Sequence, residues 1–299
     1  MFTGVTSITI GSADDAVTIL QLSAVDRGSL LFSEVFPSTL YDESKSLLYN
    51  YGDYIRIYNN SDSTIALANL LFVDAFPGWF NYSATNDCTT FASLSRDVNG
   101  LWAQLIYRFP ASARSLRPGE SALLVTDAID HRAAGLGDPG YFDFSHADFE
   151  FRGSADVDNP SVPDMISVGP RDGGLEGHGW RGWEFRPVYA LATPLDIDTL
   201  PKQFSASWDG GSNLVRIPAK AILDILSSAF LNPGAYPPCS APLVPSLDAG
   251  EARLLNYGGI MSMHRKVSRI LNSGRSILQW SHNSAADWLP GPMTPFAVP

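Results

Sequence analysis

The sequence predicts a mainly β protein, a decorated β-sandwich with long loops and one short helix. Short segments that alternate apolar and polar residues recur along the chain, and clusters of turn residues separate them. Charged residues make up only 17% of the 299 residues, whereas Gly and Pro are abundant, at 25 and 21 residues. Alternation with period two places every second residue against a core, and frequent turn residues favour many short strands over a helical bundle.

The first half of the chain predicts strands joined by recognisable turns. The predicted strands are residues 29–36, 53–60, 65–73 and 101–109. The third of these is almost continuously apolar, as expected for a strand that is buried on both faces. Asn59 to Asp62 have the composition of a turn. Pro118 and Gly119 predict a type II turn, after which a further strand begins.

The second half begins with a long irregular stretch, residues 127–180, which is rich in Asp, Gly, Pro and His. Residues 182–194 and 213–218 predict strands. The predicted helix is residues 218–230, because its apolar residues recur at helical spacing and Pro218 suits a first helical position. Residues 266–281 predict a hairpin that turns at Asn272, Ser273 and Gly274.

Composition and motifs exclude several classes of function. The net charge is -11, so the chain lacks the basic surface that a nucleic-acid-binding protein needs. No apolar run is long enough for a transmembrane segment, and the start of the sequence does not resemble a signal peptide. The motifs of P-loop enzymes, kinases, zincins and α/β-hydrolases are missing from the sequence, which argues against those enzymes.

The densest group of chemically active side chains lies within residues 127–180. It combines many acids with His131 and His146, two of the five histidines. Carboxylates together with loop carbonyls are the ligands that Ca²⁺ prefers. For a structural Ca²⁺, the predicted ligands are Asp127, Asp130, Asp156 and Asp158. The alternative is that these acids are solvated and that the two histidines hydrogen-bond the loop backbone.

Loop aromatic residues form a second group of candidates. Trp79 and Tyr82 lie in an irregular stretch, and Trp180 lies in another. Aromatic side chains on loops stack on ligands or anchor protein interfaces, so these three residues, with His131 and His146, are the predicted ligand-binding residues. Cys88 and Cys239 are the two cysteines of the chain. They pair only in an oxidising compartment, and the sequence does not decide whether they form a disulfide.

Residues 29–290 resemble an uncharacterised family of secreted or surface lipoproteins of Gram-negative bacteria. The core of that family looks like a lamin-tail-like, immunoglobulin-like β-sandwich. The segments that carry the resemblance are SLLFSEVFPS, DYIRIYNNSDSTIALANLLF, RPGESALLVTDAIDH, YFDFSHADFEF, DVDNPSVPDM, VRIPAKAILDIL and GRSILQWSHNSAADWLPGPMTP. Where the family has an Asp-Thr-Asn-Asn-Ser stretch, this chain has Gln279 to Ser284 and one acid fewer.

The resemblance implies two parts of the chain and a cellular setting. Residues 1–27 would be the remnant of a preceding immunoglobulin-like domain, and residues 29–299 would be the sandwich with its insertions. Relatives look like modules on the extracellular face of the outer membrane, lipid-anchored in the full-length precursor, or like secreted proteins. They accompany TonB-dependent transport systems, and no catalysis is established for them.

Three functions follow as hypotheses. The first is a non-catalytic, surface-exposed binding module that assists outer-membrane uptake of iron or another micronutrient, with a transporter barrel or another surface protein as its partner. The second is a structural or adhesive subunit, in which strand edges pair within a homo-oligomer. The third is a hydrolase, which would require Asp130, His131 and Asp148 to converge on one open pocket. No cofactor is predicted apart from the structural Ca²⁺.

Overall fold

The computed structural model describes eleven parts of the chain. They are residues 27–36, 52–75, 93–132, 142–151, 153, 158–170, 187–205, 212–231, 243–255, 261–297 and 299. Residues 1–26 of the predicted N-terminal remnant lie outside this part of the chain, as do Trp79, Tyr82, Asp156, Trp180 and both cysteines. The prediction of a separate N-terminal remnant therefore stays a prediction.

The fold is mainly β, as the sequence predicts, and its two large sheets pack as a sandwich. The strands are β1 Leu30–Phe36, β2 Tyr54–Asn59, β3 Ile65–Ala66, β4 Leu71–Ala75, β5 Gly100–Arg108, β6 Ser115–Leu116, β7 Ser121–Val125, β8 Phe149–Glu150, β9 Ile166–Ser167, β10 Val188–Ala192, β11 Lys202–Ser205, β12 Ser212–Pro218, β13 Ile222–Leu231, β14 Ala252–Leu255, β15 Met261–Arg265, β16 Val267–Ile270, β17 Ser276–Leu278 and β18 Trp288–Pro292. Residues 93–95 are helical (α1), and a four-residue helix, α2, spans Ser284–Asp287. The side chain of Asn283 caps α2 by accepting from the Ala286 N–H.

The six-stranded sheet has the order β18-β15-β1-β2-β7-β8. The eight-stranded sheet follows the path β11-β12-β5-β4-β10-β13-β14, and β9 pairs with β5 beside that path. Two short ladders, β3-β6 and β16-β17, complete the described strands. Most neighbouring strands are antiparallel, but β7 pairs with β8 and β13 pairs with β14 in parallel.

The main core lies between the two sheets. Phe32 and Ile57 of the six-stranded sheet pack with Phe72, Tyr107 and Leu191 of the eight-stranded sheet, and all five are at most 1% exposed. Burial of this much apolar surface is the principal stabilising contribution to the fold.

Both outer faces of the sandwich are covered as well. A second apolar cluster places Leu243 and Leu247 against Val73 of the eight-stranded sheet. On the outer face of the six-stranded sheet, Phe144 packs with Tyr54. Because the central strands are buried on both faces, they lack a polar side, which explains the nearly continuous apolar run of residues 65–73.

That apolar run is not one strand, however. It forms β3 and β4, and Asn69 lies between them with a left-handed backbone, at a φ of 63°. Asn adopts this conformation more readily than most residues, so it can end one strand and redirect the chain into the next. The sequence therefore predicts the buried strand correctly and misses the break before it.

The predicted helix at residues 218–230 is wrong. The segment forms β13, and only a single 3-10 turn, Ala219–Ala221, precedes that strand. β13 lies between β10 and β14, so Leu226 faces the main core while Ile225 joins the cluster on the other face. An apolar stretch that is buried on both faces matches helical spacing by chance, and β-branched Ile residues favour the strand.

The predicted turns are confirmed. Gly119 follows Pro118 with a φ of 84°, and Gly274 has a φ of 83° in the turn between β16 and β17. Both values lie in the left-handed region, which Gly enters without a steric penalty.

These two glycines allow a matched prediction. We expect Gly274→Ala to lower the free energy of unfolding by about 1 kcal/mol, because of backbone strain alone. No atom lies within 4 Å of a Cβ placed there. We expect Gly119→Ala to cost more, because its Cβ would lie 2.8 Å from Cδ of Arg275, whose guanidinium binds Asp62 and the Ser61 carbonyl. Urea unfolding measures both, and equal losses would contradict the expected role of Arg275.

A buried ion pair connects the two sheets. Asp224 of β13 accepts a hydrogen bond from Nη2 of Arg265 in β15 at 2.6 Å, and both side chains are 1% exposed. The same carboxylate accepts from the backbone N–H of Phe32 at 2.9 Å and from the indole N–H of Trp280 at 3.2 Å. The guanidinium of Arg265 lies 4.8 Å from the ring centre of Trp288. This network links β13 of the eight-stranded sheet to β15 and β1 of the six-stranded sheet.

Candidate functional site

The irregular stretch 127–180 folds, where it is described, into one compact group beside the edge strand β8. We call it the acidic loop cluster and define it as residues 127–132, 142–151 and 158–165. The side-chain amide of Asn159 joins the three segments, donating to the carbonyls of Ala128 at 2.8 Å and Ser145 at 3.0 Å. Backbone bridges link Asp130 to Asp143 and Glu150 to Asp164. Of the residues predicted from sequence in this stretch, Asp127, Asp130, His131, His146 and Asp158 lie in these three segments, whereas Asp156 and Trp180 lie outside the described residues.

His131 lies at the centre of the cluster and is fully buried. Its Nε2 lies 3.1 Å from the carbonyl oxygen of Asp127 and 3.6 Å from the Asp127 carboxylate. Its ring packs edge-on against Phe144, with the ring centres 5.3 Å apart. Burial lowers the pKa of His131 below its ordinary value of 6.5, although Asp127, Asp130 and Asp143 act in the opposite direction. The buried imidazole contacts the loop backbone and does not face solvent.

Arg132 forms the exposed part of the cluster. Its Nε donates to Asp130 at 2.8 Å and its Nη2 donates to Asp143 at 2.9 Å, while 52% of its side chain remains exposed. The hydroxyl and backbone N–H of Ser145 bind Asp143 and hold the pKa of that carboxyl below its ordinary value, and Arg132 adds to this effect. Asp130 therefore bonds to a guanidinium, whereas the sequence predicts it as a Ca²⁺ ligand.

A different set of acids has the geometry of a cation site. Glu150, Asp158 and Asp164 each offer a carboxylate oxygen, and these oxygens lie within 4.8 Å of one another. Of the three predicted ligands that the structure describes, this group contains Asp158, whereas Asp156 lies outside the described residues. Asp127 lies beside His131 and Asp130 binds Arg132, so neither belongs to the group. A parallel bridge brings Glu150 beside Asp164, and no local sequence pattern indicates that pairing.

The prediction of a structural Ca²⁺ can be tested by thermal unfolding with excess Ca²⁺ and with a chelator. A ligand that binds only the folded state raises Tm. A Tm that rises with Ca²⁺, and no longer rises in Asp158→Asn, would confirm the prediction for this group. An identical Tm in both conditions would contradict it, and Asp62→Asn serves as an exposed control outside the cluster.

The residues of the hydrolase hypothesis have separate partners. Asp148 accepts from Nε of Arg114 at 2.8 Å and from the backbone N–H of Leu123 at 2.9 Å. His131 contacts Asp127, and Asp130 contacts Arg132. The described contacts therefore place Asp148 and His131 in different interactions.

One exposed aromatic side chain, that of Phe296, adjoins the cluster, and the sequence does not predict it. Phe296 is 56% exposed, and its ring centre lies 6.2 Å from that of Phe142 and 6.1 Å from that of Phe144. His146 is exposed on the same loop segment as Phe142. The alternating Phe142 and Phe144 could have indicated an aromatic pair, but their contact with Phe296 depends on tertiary structure. Trp79, Tyr82 and Trp180 lie outside the described residues, so their ligand-binding role stays a prediction.

The fold and the cluster together define a class: a β-sandwich protein with a polar, partly aromatic loop surface beside one sheet edge. Residues 117–293 match the family model described as "Protein of unknown function (DUF4876)", which covers more than half of the chain. The chain belongs to this family. That agrees with the uncharacterised family expected from the sequence, whereas the lipoprotein and lamin-tail features of that resemblance stay predictions.

A solved structure supports the same assignment of fold. The chain is similar to a DUF4876 family protein from Bacteroides thetaiotaomicron VPI-5482, with 19% sequence identity and a TM-score of 0.66. The match covers 89% of this chain and 71% of that chain. No curated protein is detectably similar in sequence. Among the described helices, none has the length and hydropathy needed to cross a membrane.

Proposed function

We propose that this protein is a non-catalytic binding module that is displayed at the cell surface and assists outer-membrane uptake. The observation that carries the proposal is the acidic loop cluster, which presents Arg132, His146 and Asp158 to solvent beside the exposed ring of Phe296. Binding residues are commonly placed on loops that a rigid sheet scaffold positions. The exposed groups combine charge, hydrogen-bonding capacity and an aromatic surface, as recognition sites do.

The internal contacts of the cluster favour binding over catalysis. Hydrolytic catalysis needs a base that reaches a reacting group at the surface. His131 is fully buried and contacts the Asp127 carbonyl, and Asp148 binds Arg114 and a backbone N–H, so both contribute to the shape of the loops. A loop surface whose acids are held by Arg132, Ser145 and Arg114 suits a ligand that is recognised without being changed.

The cellular setting comes from the resemblance noted in the sequence. Its members look like extracellular or outer-membrane-anchored proteins that accompany TonB-dependent transporters. The strongly acidic composition suits capture of a cationic or metal-bearing micronutrient, such as an iron complex, because a surface of one charge sign attracts ligands of the opposite sign. In this proposal the module binds the ligand, the transporter or both.

A pull-down from membranes in mild detergent tests the proposal. We expect the tagged native protein to retain an outer-membrane transporter in roughly equal amounts. We expect Arg132→Ala to weaken that retention without unfolding the protein, because Arg132 is exposed and its loss leaves Asp130 and Asp143 facing one another. Arg253→Ala, an exposed arginine outside the cluster, is the matched control.

Two outcomes would contradict this function. One is wild-type protein that retains neither a transporter nor any small ligand, since the proposal requires at least one of them. The other is equal retention by wild type and Arg132→Ala, which would place the interface away from the acidic loop cluster. Circular dichroism of each variant shows whether a loss reflects binding or unfolding.

A second candidate function, a structural or adhesive subunit, is favoured by the edge strand β11. Lys202, Gln203 and Phe204 are all exposed, and Phe204 is 60% exposed, although alternate residues of a strand face opposite sides. Such an edge can accept a strand from a neighbouring subunit. Sedimentation at high concentration tests it: self-association that Phe204→Glu abolishes would support this function, and a strictly monomeric protein would contradict it.

A further inference from the structure

The turn that leads into β5 contains the one asparagine of the chain that is followed by glycine. Asn99 is exposed, and Gly100 is the first residue of β5. An asparagine side chain can react with its own backbone when the nitrogen of the next residue attacks the amide carbon and closes a five-membered imide. Glycine hinders this attack least, because it has no Cβ beside the attacking nitrogen. The turn therefore combines an exposed amide with an unhindered nitrogen.

Packing requires the glycine at this position. A Cβ placed on Gly100 would lie 2.1 Å from the carbonyl oxygen of Ile217 and 3.0 Å from its carbonyl carbon. Both are backbone atoms of β12, which pairs with β5 at this point, so they cannot move aside without disturbing the ladder. The eight-stranded sheet itself therefore excludes the bulkier residue that would slow the reaction of Asn99.

The hydrogen bonds of the turn present little resistance to ring closure. The N–H of Gly100, which loses its proton in the reaction, donates to the Asp97 carbonyl at 3.5 Å, a long and therefore weak hydrogen bond. The side-chain amide of Asn99 donates to Oδ1 of Asp97 at 3.1 Å in an exposed contact, for which water can substitute. The carbonyl of Asn99 accepts from the N–H of Ala219 at 2.9 Å, and the imide retains that carbonyl as an acceptor. Ring closure thus removes two weak contacts.

We propose that Asn99 is a self-modification site, which converts to aspartate and isoaspartate in the folded protein. The nitrogen of Gly100 gives its proton to water or hydroxide and forms a bond to Cγ of Asn99, and the amide group takes up a proton and leaves as ammonia. Water then opens the imide, adding its oxygen to a carbonyl carbon and a hydrogen to the nitrogen. Cleavage between nitrogen and Cγ gives aspartate. Cleavage between nitrogen and the main-chain carbonyl carbon gives isoaspartate, whose backbone is one atom longer.

Either product adds a negative charge close to Asp97. Burial by itself raises the pKa of Asp97, but the N–H of Asn99, the indole of Trp102, the Asn99 amide and Arg216 together bring that pKa below its ordinary value of 3.8. Asp97 is therefore ionised at neutral pH, and the aspartate product replaces a hydrogen-bond donor beside it with a like charge. The same carboxylate accepts from Nε1 of Trp102 at 3.0 Å and from Nη1 of Arg216 at 3.4 Å. Conversion of Asn99 thus weakens contacts between this turn, β5 and β12.

Peptide mapping by mass spectrometry of the incubated full chain provides the first test. We expect aspartate and isoaspartate to accumulate at position 99 several-fold faster than at Asn272, and faster at alkaline pH, because the attacking nitrogen must lose a proton. Asn272 is the matched control, since it is exposed in the turn between β16 and β17 but is followed by Ser273. Conversion at Asn99 that is no faster than at Asn272 would overturn the proposal.

A comparison with the chain unfolded in guanidinium chloride separates the effect of the fold from that of the sequence. In the unfolded chain, conversion at Asn99 depends only on its neighbours in sequence. We expect the folded protein to convert Asn99 at a rate within a few-fold of the unfolded chain, because the turn leaves the amide exposed. If the unfolded chain converts and the folded protein does not, the turn protects Asn99 and the proposal is wrong.

Thermal unfolding of three variants tests the effect on Asp97. Asn99→Asp reproduces one product, and we expect it to lower Tm, whereas Asn272→Asp adds the same charge in the other turn and should leave Tm unchanged. The Tm of wild type should fall during incubation as position 99 converts. Asn99→Ser cannot form the imide, so its Tm should stay constant. A Tm of Asn99→Asp equal to that of wild type would overturn the effect assigned to the new charge.

Discussion

Asp224→Asn is expected to lower the free energy of unfolding by about 3–5 kcal/mol. The NH2 group of Asn cannot accept a hydrogen bond, so it would face the buried donors of Arg265 and Phe32 or that of Trp280, whereas a protonated Asp224 keeps both oxygens as acceptors. The substitution leaves the guanidinium of Arg265 buried and without the carboxylate that it contacts at 2.6 Å. The nearest remaining carboxylate is Asp287, at 3.7 Å. Denaturation in urea gives the value, and Asp62→Asn, in an exposed ion pair, should cost far less.

The pH dependence of stability gives an independent readout of Asp224. Burial raises its pKa to about 6, although Arg265 and the donors of Phe32, Ile225 and Trp280 act in the opposite direction. The ordinary value is 3.8, so between these two values the folded state takes up a proton that the unfolded state does not. This group therefore makes the protein more stable as the pH falls from about 6 to 3.8.

That contribution should disappear in Asp224→Asn, because Asn does not titrate. Comparing the slope of unfolding free energy against pH for the two proteins over this range isolates the contribution of one carboxyl. If Asp224→Asn lowers the free energy of unfolding by less than about 1 kcal/mol, which is the range for an exposed ion pair, then the ion pair between the sheets contributes little to stability.

Glu34→Gln is expected to lower the free energy of unfolding by about 3–5 kcal/mol, the usual cost of removing one partner from a buried ion pair. It leaves Arg56 buried beside a neutral amide, and it removes the charged acceptor of the Tyr54, Ser262 and Thr294 hydrogen bonds. Glu120→Gln is the matched control, since Glu120 pairs with the exposed Arg117. If Glu34→Gln and Glu120→Gln lower the free energy of unfolding equally, then burial does not make the Glu34 ion pair more important to stability than an exposed one.

Glu34 also predicts that the contacts of the C-terminal segment, residues 288–297, are sensitive to acid. Burial by itself raises the pKa of Glu34, but Tyr54, Arg56 and the Thr294 N–H together bring that pKa below its ordinary value of 4.5. The folded state therefore binds its proton less readily than the unfolded state. The stability that Glu34 contributes is complete above pH 4.5 and is lost as the pH falls through the lower folded value.

Hydrogen exchange at Thr294 measures this directly, because its backbone N–H donates to Glu34. We expect protection to fall below pH 4.5 in the wild type, after correction for the intrinsic rate, and to be weak at neutral pH in Glu34→Gln. If Glu34→Gln leaves the protection of the Thr294 N–H unchanged, then the other contacts of residues 288–297 hold this segment without the carboxylate.

Parts of the candidate site could be predicted because they depend on neighbours in sequence. The stretch 127–180 is rich in acids and histidines, and the structure gathers its described members into one cluster. Which acid meets which partner could not be predicted. Asp130 binds Arg132, whereas Asp158 joins Glu150 and Asp164, because a parallel bridge places those backbones side by side. Such pairing follows from strand order, for which the local sequence carries no signal.

By itself the sequence determined the class of fold and the positions of several turns. Alternation at residues 53–60 and the glycines at 119 and 274 act over a few residues, so local pattern suffices. Only the tertiary structure decided that residues 222–231 form a strand, since pairing with β10 and β14 outweighs their helical spacing. It also decided that Thr294 meets Glu34, 260 residues earlier. A contact so distant along the chain depends on the order and register of strands, which the packing of the whole sandwich selects.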